Sequence, residues 1–169
     1  MKHSQARWLL FVTAFLVVPF FLRRRPRVER RVTMMARPES IFPFIHDLRS
    51  WPLWTEWSRR YDIDYSYGER TAGEGATQEW ETAQMAGALV ILRSETDSRL
   101  DYELQIEGER RILGRLELKP DGACTRVTWR CVWDRAENPY RRYLDLVLIR
   151  LIGRDFQHGL ENLKEIVES

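Results

Sequence analysis

Three histidines, His3, His46 and His158, are the first residues to weigh for proton transfer. A histidine base needs a nucleophile to activate or a third group to orient it. No recognisable local motif supplies either. His3 sits in the N-terminal tail, His46 near the end of a short helical stretch, and His158 in a long one, where a surface side chain is its better account. Asp47 and Glu56 are the nearest thing to a carboxylate pair, but Asp47 precedes a helical turn and suits an N-cap, and Glu56 suits solvent. Cys124 and Cys131 stand seven residues apart in one strand-like run. That is about 23 Å with opposite facing, too far for a bridge, and no zinc-type spacing accompanies them. Gly68, Gly73 and Gly75 lack the Gly-Lys-Ser/Thr of a phosphate loop. The run 62-DIDYSYGE-69 has Tyr67 where a calcium loop needs its glycine. The residue types therefore lean against an enzyme without closing the question, and they imply no cofactor and no metal.

What the chain does supply is aromatic surface. The stretch 51-WPLWTEW-57 holds Trp51, Trp54 and Trp57 at a spacing of three, which suits one face of a helical turn with Pro52 near its start. Such a cluster is either a lid packed on a core or the rim of an apolar hollow. Around it the patterning is clear. A strand over 28–35 precedes a short helix over 38–48, and from about residue 62 to residue 134 the period is two. Leu100, Tyr102, Leu104 and Ile106 share one face of a strand, Ile112, Gly114, Leu116 and Leu118 of the next, and Val127, Trp129, Cys131 and Trp133 of the last. Alternation of this kind marks an antiparallel sheet with one wet and one buried face. After Pro139 the period changes: Leu144, Val147, Leu148, Leu151, Ile152, Phe156, Leu160, Leu163 and Val167 make an apolar stripe on one long helix. The expected architecture is α+β, a curved antiparallel sheet of about six or seven strands around a long C-terminal helix.

Charge divides the chain. Residues 1–31 carry eight Lys/Arg against Glu29, a net +7, while the whole chain is +2, so residues 32–169 are net −5. The folded part is mildly acidic, which argues against nucleic-acid binding. The basic segment brackets 8-WLLFVTAFLVVPFFL-22, fifteen uncharged residues. As a helix it is about 22 Å long, short of the ~30 Å hydrocarbon core, with Arg7 and Arg23 able to snorkel. A signal peptide is the rival, but 23-RRRPR-27 follows where a cleavage site belongs. A surface-lying helix suits the run less well, because it is apolar all round. The expectation is a single-pass membrane anchor over residues 1–26, its apolar core at 8–22. A domain over 27–169 then lies on the cytoplasmic side by the positive-inside rule.

The segments 36-ARPESIF-42, 47-DLRSWPLWTEW-57, 73-GEGATQEWE-81, 123-ACTRVTW-129 and 159-GLENLKEIVE-168 resemble the START-like (SRPBCC) superfamily, the helix-grip proteins of the polyketide cyclase/dehydrase and lipid transport type. The resemblance runs from about Arg27 to Glu168. With the two short helices expected after the first strand, it implies a cavity between sheet and C-terminal helix that holds an apolar small molecule, a lipid or polyketide-like compound. It also implies that Trp54 and Trp57 line or gate the cavity mouth. On the inward faces the candidate wall residues are Trp80, Tyr102, Leu116, Trp129 and Trp133 from the strands and Leu148, Ile152 and Phe156 from the helix. Candidate orienting groups are the Tyr65 and Tyr102 hydroxyls, Gln78 and the Trp80 indole N–H, with Arg30 facing an acidic head group or lying beyond the sheet edge. A cyclase/dehydratase-type enzyme and a protein-interaction module stand as alternatives.

Overall fold

Period-two patterning yields seven strands. They are β1 (Arg27–Met34), β2 (Asp64–Tyr67), β3 (Thr77–Glu81), β4 (Ala86–Glu95), β5 (Arg99–Ile106), β6 (Ile112–Asp121) and β7 (Cys124–Trp133). The helices are α1 (Pro38–His46), α2 (Trp51–Trp54), α3 (Glu56–Arg60) and α4 (Arg141–Glu168), with a 3-10 turn over Leu48–Ser50. The computed structural model describes residues 26–107, 111–134 and 141–169, and side-chain surroundings in α4 from residue 147 onward. The apolar run 8–22 and its expected N-terminal helix lie outside the described residues. Among those described, no helix is long and apolar enough to cross a membrane.

The strands form one antiparallel sheet in the order β1-β7-β6-β5-β4-β3-β2. Consecutive strands pair by hairpins, and only β1 is brought from a distance, to lie beside β7. The outer face is held by ion pairs between residues directly opposite in register. Arg130 meets Glu29 at 2.7 Å across β7 and β1, and Arg115 meets Asp101 at 2.8 Å across β6 and β5. The inner face is apolar: Leu100, Tyr102, Ile112, Leu116, Leu118, Val127, Trp129, Cys131 and Trp133 are all buried. Every one of these was an inward position in the alternation.

Helix α4 packs chiefly along β1, and its C-terminal half is tied down by polar contacts as well as by packing. Asn162 Nδ2 donates to the Trp54 carbonyl at 3.1 Å, and Lys164 Nζ donates to the Thr33 carbonyl at 3.0 Å. Phe156, Leu160 and Leu163 are buried beneath it. Its N-terminal half corrects the expected stripe: Val147, Leu148 and Leu151 are exposed, while Ile149 and Ile152 pack against the core. The reason is arithmetic. Each step of four residues overshoots a turn by about 40°, so Leu148, two such steps before Phe156, is rotated some 80° off the docked face. Ile149, seven residues before Phe156, stays on it.

This phase makes a direct expectation. Leu163→Asp places a charge at a fully buried position and should cost at least about 3 kcal/mol, enough to unfold much of the population. Leu148→Asp should move stability by less than about 1 kcal/mol. Chemical denaturation of both variants checks it, and equal losses would mean that the N-terminal half of α4 is docked after all.

Candidate ligand cavity

Between the inner face and α4 the chain leaves a hollow of about 180 Å³. Its floor comes from β3 to β7, through Trp80, Leu89, Tyr102, Leu104, Ile106, Ile112, Cys131 and Trp133. Ile152, Asp155 and Phe156 of α4 form the opposite wall. Trp51 of α2, Trp57 of α3 and the following Tyr61, Ile63 and Tyr65 close one side, and Thr82, Gln84 and Met85 stand at the rim.

A hollow exists here because two large rings lie down. Trp80 of β3 stands directly opposite Gly87 of β4, and Tyr102 of β5 opposite Gly114 of β6. A Cβ added at Gly87 would lie 2.4 Å from the Trp80 ring, and one at Gly114 would lie 2.0 Å from the Tyr102 ring. Each aromatic therefore covers the bare backbone of the next strand instead of standing up toward the helix. Glycine inside a strand is otherwise a weakness, and an aromatic partner across the ladder compensates for it.

Around Trp129, in the middle of β7, the space is solid. The Trp129 ring stacks on Phe156 with centroids 3.8 Å apart and planes 5° apart. Trp54 meets it edge-on at 5.0 Å, Trp57 at 5.6 Å and Trp51 at 6.2 Å. The Trp129 indole N–H donates to the Tyr102 hydroxyl at 2.8 Å. Trp51 and Trp54 direct their N–H groups to the carbonyls of Ile45 and Phe44, both at 3.0 Å. The 51–57 stretch is two helical pieces, since Thr55 is extended (ψ 137°) and separates them. The spacing of three therefore orders Trp51 and Trp54 but loses its phase at Trp57. Asp47 caps the turn before them, accepting from the Arg49 N–H at 3.0 Å.

The sequence candidates divide accordingly. Trp57, Trp80, Tyr102, Trp133, Ile152 and Phe156 line the hollow. Trp54, Leu116 and Trp129 are fully buried in the packed core and do not line it. Leu148 is exposed on α4 and does not line it either. Trp51, Leu89, Cys131 and Asp155 were missed as wall residues. Cys131 was already inward by pattern, whereas Trp51 is placed only by the packing of α2 and Asp155 only by the rotation of α4. Arg30 lies under that helix, its guanidinium against Gly153, and is not part of the wall.

The electrostatics of the wall favour neutral groups. Burial raises the Tyr102 and Tyr65 phenols, and pushes the Cys131 thiol up to about 12. All three hold their protons at neutral pH. Tyr65 is further committed to a relay: the Thr55 hydroxyl donates to the Trp51 carbonyl at 2.8 Å. Ser58 must then donate to Thr55 at 3.0 Å, and Tyr65 to Ser58 at 2.7 Å. Asp155, at the edge, is ion-paired with Arg60 at 2.9 Å. His158 is half-exposed and lies 3.8 Å from Glu56, outside the hollow.

Two substitutions test this division of wall and core. Trp129→Ala empties the centre of the aromatic stack and should cost about 3–5 kcal/mol in denaturant unfolding. Gly114→Val should drive the Tyr102 ring upward, lowering stability by about 1–3 kcal/mol. A Gly114→Val protein as stable as the parent would mean that Tyr102 does not lie on Gly114.

None of the curated proteins matches the sequence. Solved structures of the same fold are numerous. The KanY protein is 17% identical with a TM-score of 0.66, covering 85% of this chain and 97% of its own. A Thermobifida fusca protein is 18% identical with a TM-score of 0.65, covering 83% and 92%. DynU16, a protein of the dynemicin biosynthetic locus, is 12% identical with a TM-score of 0.61, covering 85% of this chain and 48% of its own. At these identities the likeness is one of fold, the helix grip. The family model described as polyketide cyclase / dehydrase and lipid transport matches residues 25–168. With its sheet, grip helix and sequence all in agreement, the chain belongs to that family.

Proposed function

We propose that the chain is a binding protein whose hollow takes up an apolar small molecule. The observation that carries this is the wall itself: about 180 Å³ bounded almost wholly by aromatic and aliphatic side chains, with its displaced titratable groups all held neutral. A mostly apolar hollow with few polar groups is how small-molecule sites are built. Proton-transfer chemistry would call for a group poised near neutral pH, and Tyr102, Tyr65 and Cys131 are displaced the other way. The cyclase/dehydratase reading is supported by the family's description, and the placement of DynU16 in a biosynthetic locus fits either reading. Asp155 is the one carboxylate on the wall, and its pairing with Arg60 suits a structural role.

Tryptophan emission gives the test, because Trp51, Trp57, Trp80 and Trp133 border the hollow and indole emission follows local polarity. Titration of the full chain in detergent with fatty acids, sterols and flat aromatics should shift or quench emission saturably for at least one class, with a negative heat-capacity change. No saturation across the panel would defeat the binding reading.

The second part of the proposal is the tether. It rests on the uncharged run 8–22 and the +7 flanks, whose heavier C-terminal side keeps the domain in the cytoplasm. An apolar molecule partitions into the bilayer, so tethering places the hollow beside its reservoir. The full chain should sediment with membranes and resist carbonate extraction. A mature protein whose N-terminus begins just after Leu22 would instead identify a cleaved signal.

A further inference from the structure

The hollow contains hydrogen-bond donors that no group among the described residues answers. Gln78 is 4% exposed, lines the hollow, and its Nε2 has no hydrogen-bond partner. It points inward from β3 opposite Leu89 of β4. Tyr67 stands opposite it on β2. Burial raises that phenol and the approach of the Gln78 amide N–H lowers it. The pair falls short of hydrogen-bond geometry at Nε2, and since the amide nitrogen carries two hydrogens, one is left for the hollow. Asp155, across the hollow on α4, is ion-paired with Arg60, and its Oδ1, like Gln78 Nε2, completes no hydrogen bond among the described residues. Tyr102 adds a second donor. It is 2% exposed, its oxygen already accepts from Trp129, and its own proton meets no acceptor among the described residues.

A buried N–H without a partner costs free energy, so a folded protein keeps one where solvent or a bound molecule answers it, and in a hollow this apolar a bound molecule is the better match. We infer that Gln78 selects the polar end of the ligand: the molecule is apolar over most of its surface and carries a hydrogen-bond-accepting oxygen, such as a carbonyl or ether, that receives the Gln78 amide N–H. This rests on reading the hollow as a binding site and adds the chemical class of what it takes. A pure hydrocarbon fills the same space but leaves the amide bare. On this account Gln78 is a specificity residue, and the rings around it supply affinity without choosing among ligands.

Tetralone and its parent hydrocarbon tetralin test the inference, since they differ in little but one carbonyl. Each is titrated into the full chain in detergent, followed by tryptophan emission and corrected for uptake into protein-free micelles. The wild-type chain should bind tetralone about five- to tenfold more tightly than tetralin. Gln78→Leu and Gln78→Met should bind the two equally while keeping a cooperative melt at or above the parent temperature, because each removes the bare amide. Using two replacements guards against one that packs badly. Saturable binding of both probes with equal affinity to the wild-type chain, or a tetralone preference that survives both replacements, would overturn this inference and leave the binding reading standing. Saturation by neither probe would overturn both.

Discussion

The face-to-face contact between Trp129 and Phe156 is the joint on which the grip depends. One ring belongs to β7, near the middle of the last hairpin, and the other to the helix that crosses the sheet. Their planes are parallel, so the stack fixes both the height of α4 over the sheet and its rotation about its own axis. That rotation decides which α4 residues face the hollow, namely Ile152, Asp155 and Phe156, and which are turned out, namely Val147, Leu148 and Leu151. The indole N–H of Trp129 then holds the Tyr102 hydroxyl, so the same residue sets the floor as well as the roof. Trp51, Trp54 and Trp57 pack their edges against it and carry the short helices to the joint.

Between floor and roof, volume is conserved in an unusual way. A sheet and a helix carrying this many large rings would ordinarily fill the space between them. Two of the rings instead lie across the glycines opposite them, Trp80 over Gly87 and Tyr102 over Gly114. Each ring so placed still buries its apolar face and shields a weak point in the ladder, yet contributes little height. The hollow is thus a by-product of pairing a large residue with the smallest one twice on the same face. It is framed by a rigid outer layer, since the ion pairs Arg130–Glu29 and Arg115–Asp101 join strands on the opposite side.

The polar groups inside this frame fall into two kinds. Some are spent on architecture: the Thr55–Ser58–Tyr65 relay pins α3 to β2, and the Arg60–Asp155 pair pins α3 to α4. Others, Gln78 and Tyr102, retain a donor that completes no hydrogen bond among the described residues. A wall that is apolar, holds Tyr65, Tyr102 and Cys131 neutral and keeps two donors in reserve agrees with the proposed role of holding a molecule.

The sequence by itself determined the fold class, the strands and their inward faces, because alternation with period two and a long 3.6-period run are local signals that every residue in them repeats. Leu100, Tyr102, Val127, Trp129, Cys131 and Trp133 were inward by that rule and are buried. It also placed Trp80, Tyr102, Trp133, Ile152 and Phe156 on the face that borders the hollow, while Trp57 came in only through the family resemblance. Only the tertiary structure decided the rest. Facing inward does not distinguish a wall from a core, so Trp54, Leu116 and Trp129 look the same in sequence as Trp57, Trp80 and Trp133. The difference lies in what stands across from each: Phe156 over Trp129, but glycine beneath Trp80 and Tyr102. Those pairings join residues on different elements. Strand register and helix rotation fix them, and neither leaves a mark on the local pattern of one segment. The break at Thr55 and the phase of α4 belong to the same class, since a shift of one residue redirects a side chain by about 100° on a helix and reverses its face on a strand.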